Sequence, residues 1–159
     1  MRTSIPFLVT TLFLFSCHIP DKRLVVLLNS CDELSIVYRA TNKAFVFKTT
    51  DSATIKDFTN LILQKNENFT DTCATTHRLI YSSKGKIIFN AEISLHPGIN
   101  GTGCNYVSYS FYSKNYRHRL TYRVGMGIDE IYAHKVNPGK NPWSNVDTTT
   151  FHYEDLNDN

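Results

Sequence analysis

His77-Arg78-Leu79-Ile80-Tyr81-Ser82-Ser83-Lys84-Gly85-Lys86-Ile87-Ile88-Phe89-Asn90-Ala91-Glu92-Ile93-Ser94 is the stretch on which the fold turns. His77–Ser82 reads as a strand, Ser83-Lys84-Gly85 is a tight-turn signal, and Lys86–Ser94 reads as a second strand. In the second arm Ile87, Phe89, Ala91 and Ile93 fall on one face, with Asn90 and Glu92 on the other. That is the period-two pattern of a strand with one buried face. The spacing predicts an antiparallel hairpin in the middle of the chain.

Upstream, Leu34-Ser35-Ile36-Val37-Tyr38 alternates, Thr41-Asn42-Lys43 signals a turn, and Ala44–Lys48 returns as a strand. Asp51 then stands where a side-chain oxygen can accept from free helix N–H groups. Over Ser52–Gln64 the residues Ile55, Phe58, Leu61 and Ile62 recur at helical spacing, and Lys65 follows where its charge favours the helix dipole. Residues 66–76 are polar and read as a loop. Downstream, residues 96–103 form an irregular loop rich in glycine. Asn105–Tyr112 and Tyr116–Val124 make a third hairpin through Ser113-Lys114-Asn115. A short helix is expected from Ile128 to His134. Residues 137–159 read as a polar tail that Trp143 is expected to pin to the domain.

The resulting order is ββαββββ with a terminal helix. It predicts an α+β domain over residues 33–136, built on a mainly antiparallel sheet of about six strands. One amphipathic helix is expected on one face and a short C-terminal helix after the last strand.

At the other end of the chain, Met1-Arg2-Thr3-Ser4 precedes an apolar run from Ile5 to Phe15. Such a run is too short to span a bilayer, which takes roughly 20 residues, and suits an export signal, whose core needs about 7–15. The following Leu14-Phe15-Ser16-Cys17 resembles the lipobox of bacterial lipoproteins, in which the cysteine is diacylated and becomes the mature N-terminus. The resemblance covers residues 1–17 and departs from the family pattern at Phe15, where a smaller residue is preferred. It implies a signal peptide over 1–16, a lipid on Cys17 and a tether over 17–32. Leu28-Asn29-Ser30-Cys31 is a second such motif, preceded by an apolar run of only Leu24–Leu28, so Cys31 is the alternative lipid site. A plain secreted domain without lipid is the bland alternative.

Export brings the cysteines into an oxidising compartment. With Cys17 acylated, Cys31, Cys73 and Cys104 remain, an odd number; with Cys31 acylated, an even pair remains. Topology decides the pairing in either case. The helix returns the chain across the sheet, so Cys73 and Cys104, before the third and fifth strands, lie at one end and Cys31 at the other. In a meander those strands stand about 9.6 Å apart, and loops can bring the Cα atoms within the roughly 7 Å that a disulfide needs. A Cys73–Cys104 disulfide is predicted.

The candidates for chemistry are few. Cys73-Ala74-Thr75-Thr76-His77 places a thiol near an imidazole, but a disulfide removes the thiolate that a nucleophile or zinc ligand requires. The six histidines show no metal-site spacing, and Asp129 and Glu130 are adjacent on a helix and diverge. No nucleophile elbow, phosphate loop or calcium loop occurs. No cofactor and no metal are expected. A net charge of +3 on 159 residues, spread along the chain, points to no nucleic-acid partner. Asn68-Phe69-Thr70 and Asn100-Gly101-Thr102 match the N-glycan sequon, which matters only on a eukaryotic route. Asp51-Ser52-Ala53 and Asp147-Thr148-Thr149 resemble an O-glycosylation motif of exported Bacteroidota proteins.

The best candidate surface is basic and aromatic. Arg117, Arg119 and Arg123 are expected to share one face of the sixth strand, with Tyr106 and Tyr112 facing the same way on its neighbour. Such a face suits an acidic envelope protein, a glycan or lipid phosphates; the competing reading is a solvated face with Tyr–Arg stacking. The expected function is a non-enzymatic binding module of the cell envelope, of inhibitor, immunity or assembly type, held to the membrane by its N-terminal lipid. The alternative is a small envelope hydrolase using His77 or His118.

Overall fold

A computed structural model describes residues 20–40, 43–67, 73–95, 104–137 and 148–156. The fold is α+β. Among the described residues three α-helices and seven strands follow in the order α1 (Lys22–Asn29), β1 (Glu33–Ala40), β2 (Lys43–Thr49), α2 (Ser52–Ile62), β3 (His77–Ser83), β4 (Lys86–Leu95), β5 (Asn105–Phe111), β6 (Lys114–Arg119), α3 (Tyr122–Val136) and β7 (His152–Leu156). The strands form one sheet in the order β6-β5-β4-β3-β1-β2-β7. Every neighbouring pair is antiparallel.

One face of this sheet carries the core. The register aligns Phe47, Ile36, Leu79 and Ala91 across four strands, and Ile93, Val107 and His118 across three. All seven side chains are buried. The helices cover that face. In α2 the residues Ile55, Phe58, Leu61 and Ile62 are buried, and Asp51 caps it by accepting from Thr54 N–H at 2.7 Å. The helix stops at Ile62, and the Lys65 carbonyl beyond it accepts from His118. The Tyr109 hydroxyl donates to the Ile62 carbonyl (2.8 Å) and the Tyr38 hydroxyl to the Ile128 carbonyl (2.9 Å). These two bonds fasten α2 to one half of the sheet and α3 to the other.

The sheet has two distinct ends. The β3–β4 and β5–β6 turns and the start of β1 lie at one, with α1 beside them: Arg23 sits over the Tyr112 ring and Asp32 N–H donates to the Ser82 carbonyl. At the other end Cys73 and Cys104 form the predicted disulfide, with Cα atoms 6.1 Å apart. They precede β3 and β5, which flank β4. Cys31 is a free thiol at the opposite end, half-buried, with Sγ donating to the Glu33 carbonyl; burial raises its pKa.

Five expectations change. First, residues 22–29, read as tether, form a helix whose Leu24 and Leu28 enter the core. Second, a bulge in β4 opposes Tyr81 to Phe89 but Ser82 to Ile87. The extra residue of a bulge is left unpaired and the faces beyond it are re-aimed. Ile88 therefore packs against the core, and Ile87 turns outward and is exposed.

Third, the β5–β6 turn is Tyr112-Ser113, both at positive φ (47° and 61°), rather than Ser113-Lys114-Asn115. Fourth, β6 ends at Arg119 and α3 begins at Tyr122, so residues 122–124 are helical. Val124, Ile128 and Ile131 are its buried face. Their spacing is helical, but Gly125 and Gly127 lower helix propensity and hide it. Fifth, the polar tail supplies a seventh strand, β7, paired with β2 from Ala44↔Leu156 to Lys48↔His152. Trp143, Asn68, Asn100 and Cys17 lie outside the described residues.

Candidate functional site

Of the five residues of the expected binding face, Tyr106, Arg117 and Arg119 share one face of β5 and β6, and Tyr112 and Arg123 do not join them. Tyr106 and Arg117 do meet on the sheet face away from the helices, the guanidinium 4.4 Å from the ring centroid. Tyr106 is buried, however. Its hydroxyl accepts from Cys73 N–H and donates to the Cys73 carbonyl, both at 3.2 Å. It holds Cys73 in place, and at the β6 edge Glu67 N–H donates to the Arg117 carbonyl and Asn66 accepts from Arg117 N–H.

Arg119 forms an ion pair with Glu67 (3.6 Å). Tyr112 sits in the turn at the far end, under Arg23 at 4.0 Å. Arg123 is on α3, over the opposite sheet face, paired with Asp57 of α2 at 2.8 Å. The strand expected to align the three arginines ends before the last of them.

The histidines separate as sharply. His118 is fully buried. Its Nδ1 donates to the Lys65 carbonyl (2.7 Å) and its Nε2 lies 3.2 Å from the Tyr109 hydroxyl. His134 is buried under β7, with Nδ1 3.0 Å from the Tyr153 hydroxyl. Both fasten loops and strands rather than face solvent.

His77 differs. It stands at the disulfide end of β3, edge-on to the Tyr38 ring (centroids 4.7 Å apart), which in turn stacks on Phe45 at 4.3 Å. These rings floor a cleft of about 650 Å³ between the sheet and α3. Leu95 and Leu120 wall one side; Tyr122, Met126, Ile128 and Tyr132 wall the other. Tyr122 is 84% exposed, so the cleft has an aromatic rim.

Besides the tyrosines, three ionisable side chains line it: Arg39, His77 and Asp129. Burial holds the His77 imidazole down at about 4, so it is neutral at physiological pH. Burial also raises the Asp129 carboxyl. The Thr76 hydroxyl lies 2.7 Å from His77 Nδ1, accepts from Leu95 N–H (2.9 Å) and lies 3.2 Å from the Ile93 carbonyl. A carbonyl only accepts. An arrangement that satisfies all three has Thr76 donating to Ile93 and accepting from His77 Nδ1–H. The lone pair of His77 is then on Nε2.

Sequence reasoning singled out His77 but not its surroundings. Tyr122, Met126 and Tyr132 recur at helical spacing, yet the cleft they wall exists only once α3 is docked across β1.

Among the described residues no group of three or more His, Cys, Asp or Glu could hold a metal ion. No helix among them is long and apolar enough to cross a membrane. No protein-family model matches the chain, and no curated protein and no solved structure shows significant similarity to it.

Proposed function

We propose that this chain is an exported, membrane-tethered binding module, acylated at Cys17, that takes an apolar ligand into the cleft between α3 and the sheet. The cleft carries the binding part of this reading. Its floor and walls are mostly aromatic and aliphatic, with Arg39, Thr76, His77, Asn105, Thr121 and Asp129 as the polar groups, a mixture of apolar wall and placed polar groups that suits a small-molecule site. The disulfide supports it, since Cys73 and Cys104 lead directly into Thr76, His77 and Asn105 of the lining. The tether rests on the export segment and its lipobox. Leu24 and Leu28 in the core favour Cys17 over Cys31, because cleavage at Cys31 would remove both.

A titration with the neutral fluorophore N-phenyl-1-naphthylamine tests the cleft. Saturable binding of one molecule is expected, weakened several-fold or more in Met126→Glu, which places a carboxylate in the wall of the cleft. Unsaturable binding, or equal binding by a folded Met126→Glu, overturns the reading. Intact mass of the membrane-fraction protein tests the lipid.

The hydrolase reading retains one favouring observation, the position of His77 in a concave cleft. The Thr76 proton is committed to a carbonyl in the arrangement above, which leaves His77 without an activated nucleophile. Hydrolysis of a p-nitrophenyl ester that is lost in His77→Gln would favour it.

A further inference from the structure

We infer that the α1 end of the domain lies against the membrane as a basic, aromatic contact surface for anionic lipid headgroups, with the cleft facing away. The inference rests on the lipid-anchor reading of Cys17 and extends it to the orientation of the domain.

Chain length comes first. Only His18, Ile19 and Pro20 separate Cys17 from Asp21, the N-cap of α1. Four residue steps span at most about 14 Å. The helix they lead into is fixed to the domain through Leu24 and Leu28, which are almost fully buried. A lipid on Cys17 therefore holds this end, and no other, close to the headgroups. The cleft opens at the opposite end of β1, which runs from Glu33 to Ala40. A strand of that length extends roughly 27 Å.

The surface itself is the second observation. Three of the eight large hydrophobic side chains exposed among the described residues, Val26 (70%), Ile87 (66%) and Tyr112 (65%), lie at this end. Lys22, Lys84, Lys86 and Lys114 are exposed around them. No ion pair among the described residues involves any of these four lysines. The carboxylates there are Asp21, Asp32, Glu33 and Asp51; Asp21 is paired with Arg23, Asp32 accepts from Lys84 N–H and Asp51 caps α2, so counting Arg23 the basic side chains still outnumber the acidic ones. An anionic bilayer surface complements such a cluster.

Tyr112 provides the third. It occupies a turn position at φ 47° that favours Asn or Gly, yet carries a large exposed ring. Side chains with an apolar body and a polar tip concentrate at the membrane–water interface.

The test uses the full acylated chain in vesicles containing phosphatidylglycerol. A fluorophore is placed by Ser113→Cys or, as control, by Tyr122→Cys, each in a Cys31→Ala background. A quencher carried on lipid headgroups is expected to dim the label at 113 several-fold more than that at 122. Reversing charge at Lys84, Lys86 and Lys114 to Glu is expected to reduce that difference, as is high salt, which shortens the screening length. Equal quenching at both sites in protein of verified acyl mass overturns the orientation alone. Absence of the acyl mass on Cys17 overturns the anchor and the orientation together.

Discussion

His118 Nε2 lies 3.2 Å from the Tyr109 hydroxyl in the interior, and the same hydroxyl reaches the Ile62 carbonyl at 2.8 Å. With His118 Nδ1 on the Lys65 carbonyl, one imidazole and one phenol tie the end of α2 to β5 and β6. Burial pushes the Tyr109 pKa well up, so the phenol stays protonated. His118→Ala should leave a cavity and deprive the Lys65 carbonyl of its donor. A loss of about 3 kcal/mol is expected, read from the urea midpoint at constant m-value. A loss no larger than a typical surface substitution gives, about 0.5 kcal/mol, would show that the link is dispensable.

The disulfide closes a segment with a sequence separation of 31. Constraining that loop in the unfolded chain stabilises the fold by about 3 to 4 kcal/mol in the chain-entropy model. Cys73→Ala/Cys104→Ala should lower stability by that amount in oxidising buffer. Reductant should destabilise the parent protein and leave the double variant unchanged.

His77 gives a pH dependence with a definite sign. Its folded pKa is depressed from 6.5 to about 4 by burial, so below pH 6.5 the unfolded chain binds the proton and the folded one does not. Stability therefore falls as pH drops from about 6.5 to about 4 and levels off below. Allowing for its partial exposure, the contribution is on the order of 2 kcal/mol. In His77→Gln the slope of stability against pH in this window should flatten; an unchanged slope would assign it to other groups.

Gly127 lies inside α3, and a Cβ built there meets nothing within 4 Å. Gly in a helix interior costs roughly 0.5–1 kcal/mol relative to Ala. Gly127→Ala should stabilise by about that much, raising Tm by a few degrees in a thermal scan. The fold should be unchanged, because Val124, Ile128 and Ile131 already set the buried face of α3.

Much of this architecture is legible in the chain because its signals are local. Leu34, Ile36 and Tyr38 share a face in the sequence and in the sheet. Ile55, Phe58, Leu61 and Ile62 form one helix face in both. Asp51 caps where a cap is expected. Even the disulfide follows, because strand order and helix length determine which loops share an end. The candidate site was less legible. His77 is legible as a candidate, and Arg117 and Arg119 keep one face of β6 with Tyr106, but β6 stops at Arg119 and Arg123 passes to the other side of the sheet.

Alone, then, the sequence determined the α+β class, the hairpins, the covering helix and the cysteine pairing, since periods of two and 3.6 residues and the rise per residue are properties of short segments. Tertiary structure decided the rest. A one-residue bulge turned Ile87 outward and Ile88 in, and β7 joined β2 through backbone bonds that its polar side chains do not announce. The docking of α3, through the Tyr38–Ile128 bond and the Arg123–Asp57 pair, created the cleft. Each depends on groups far apart in the chain, whose free energy of contact has no counterpart in local periodicity.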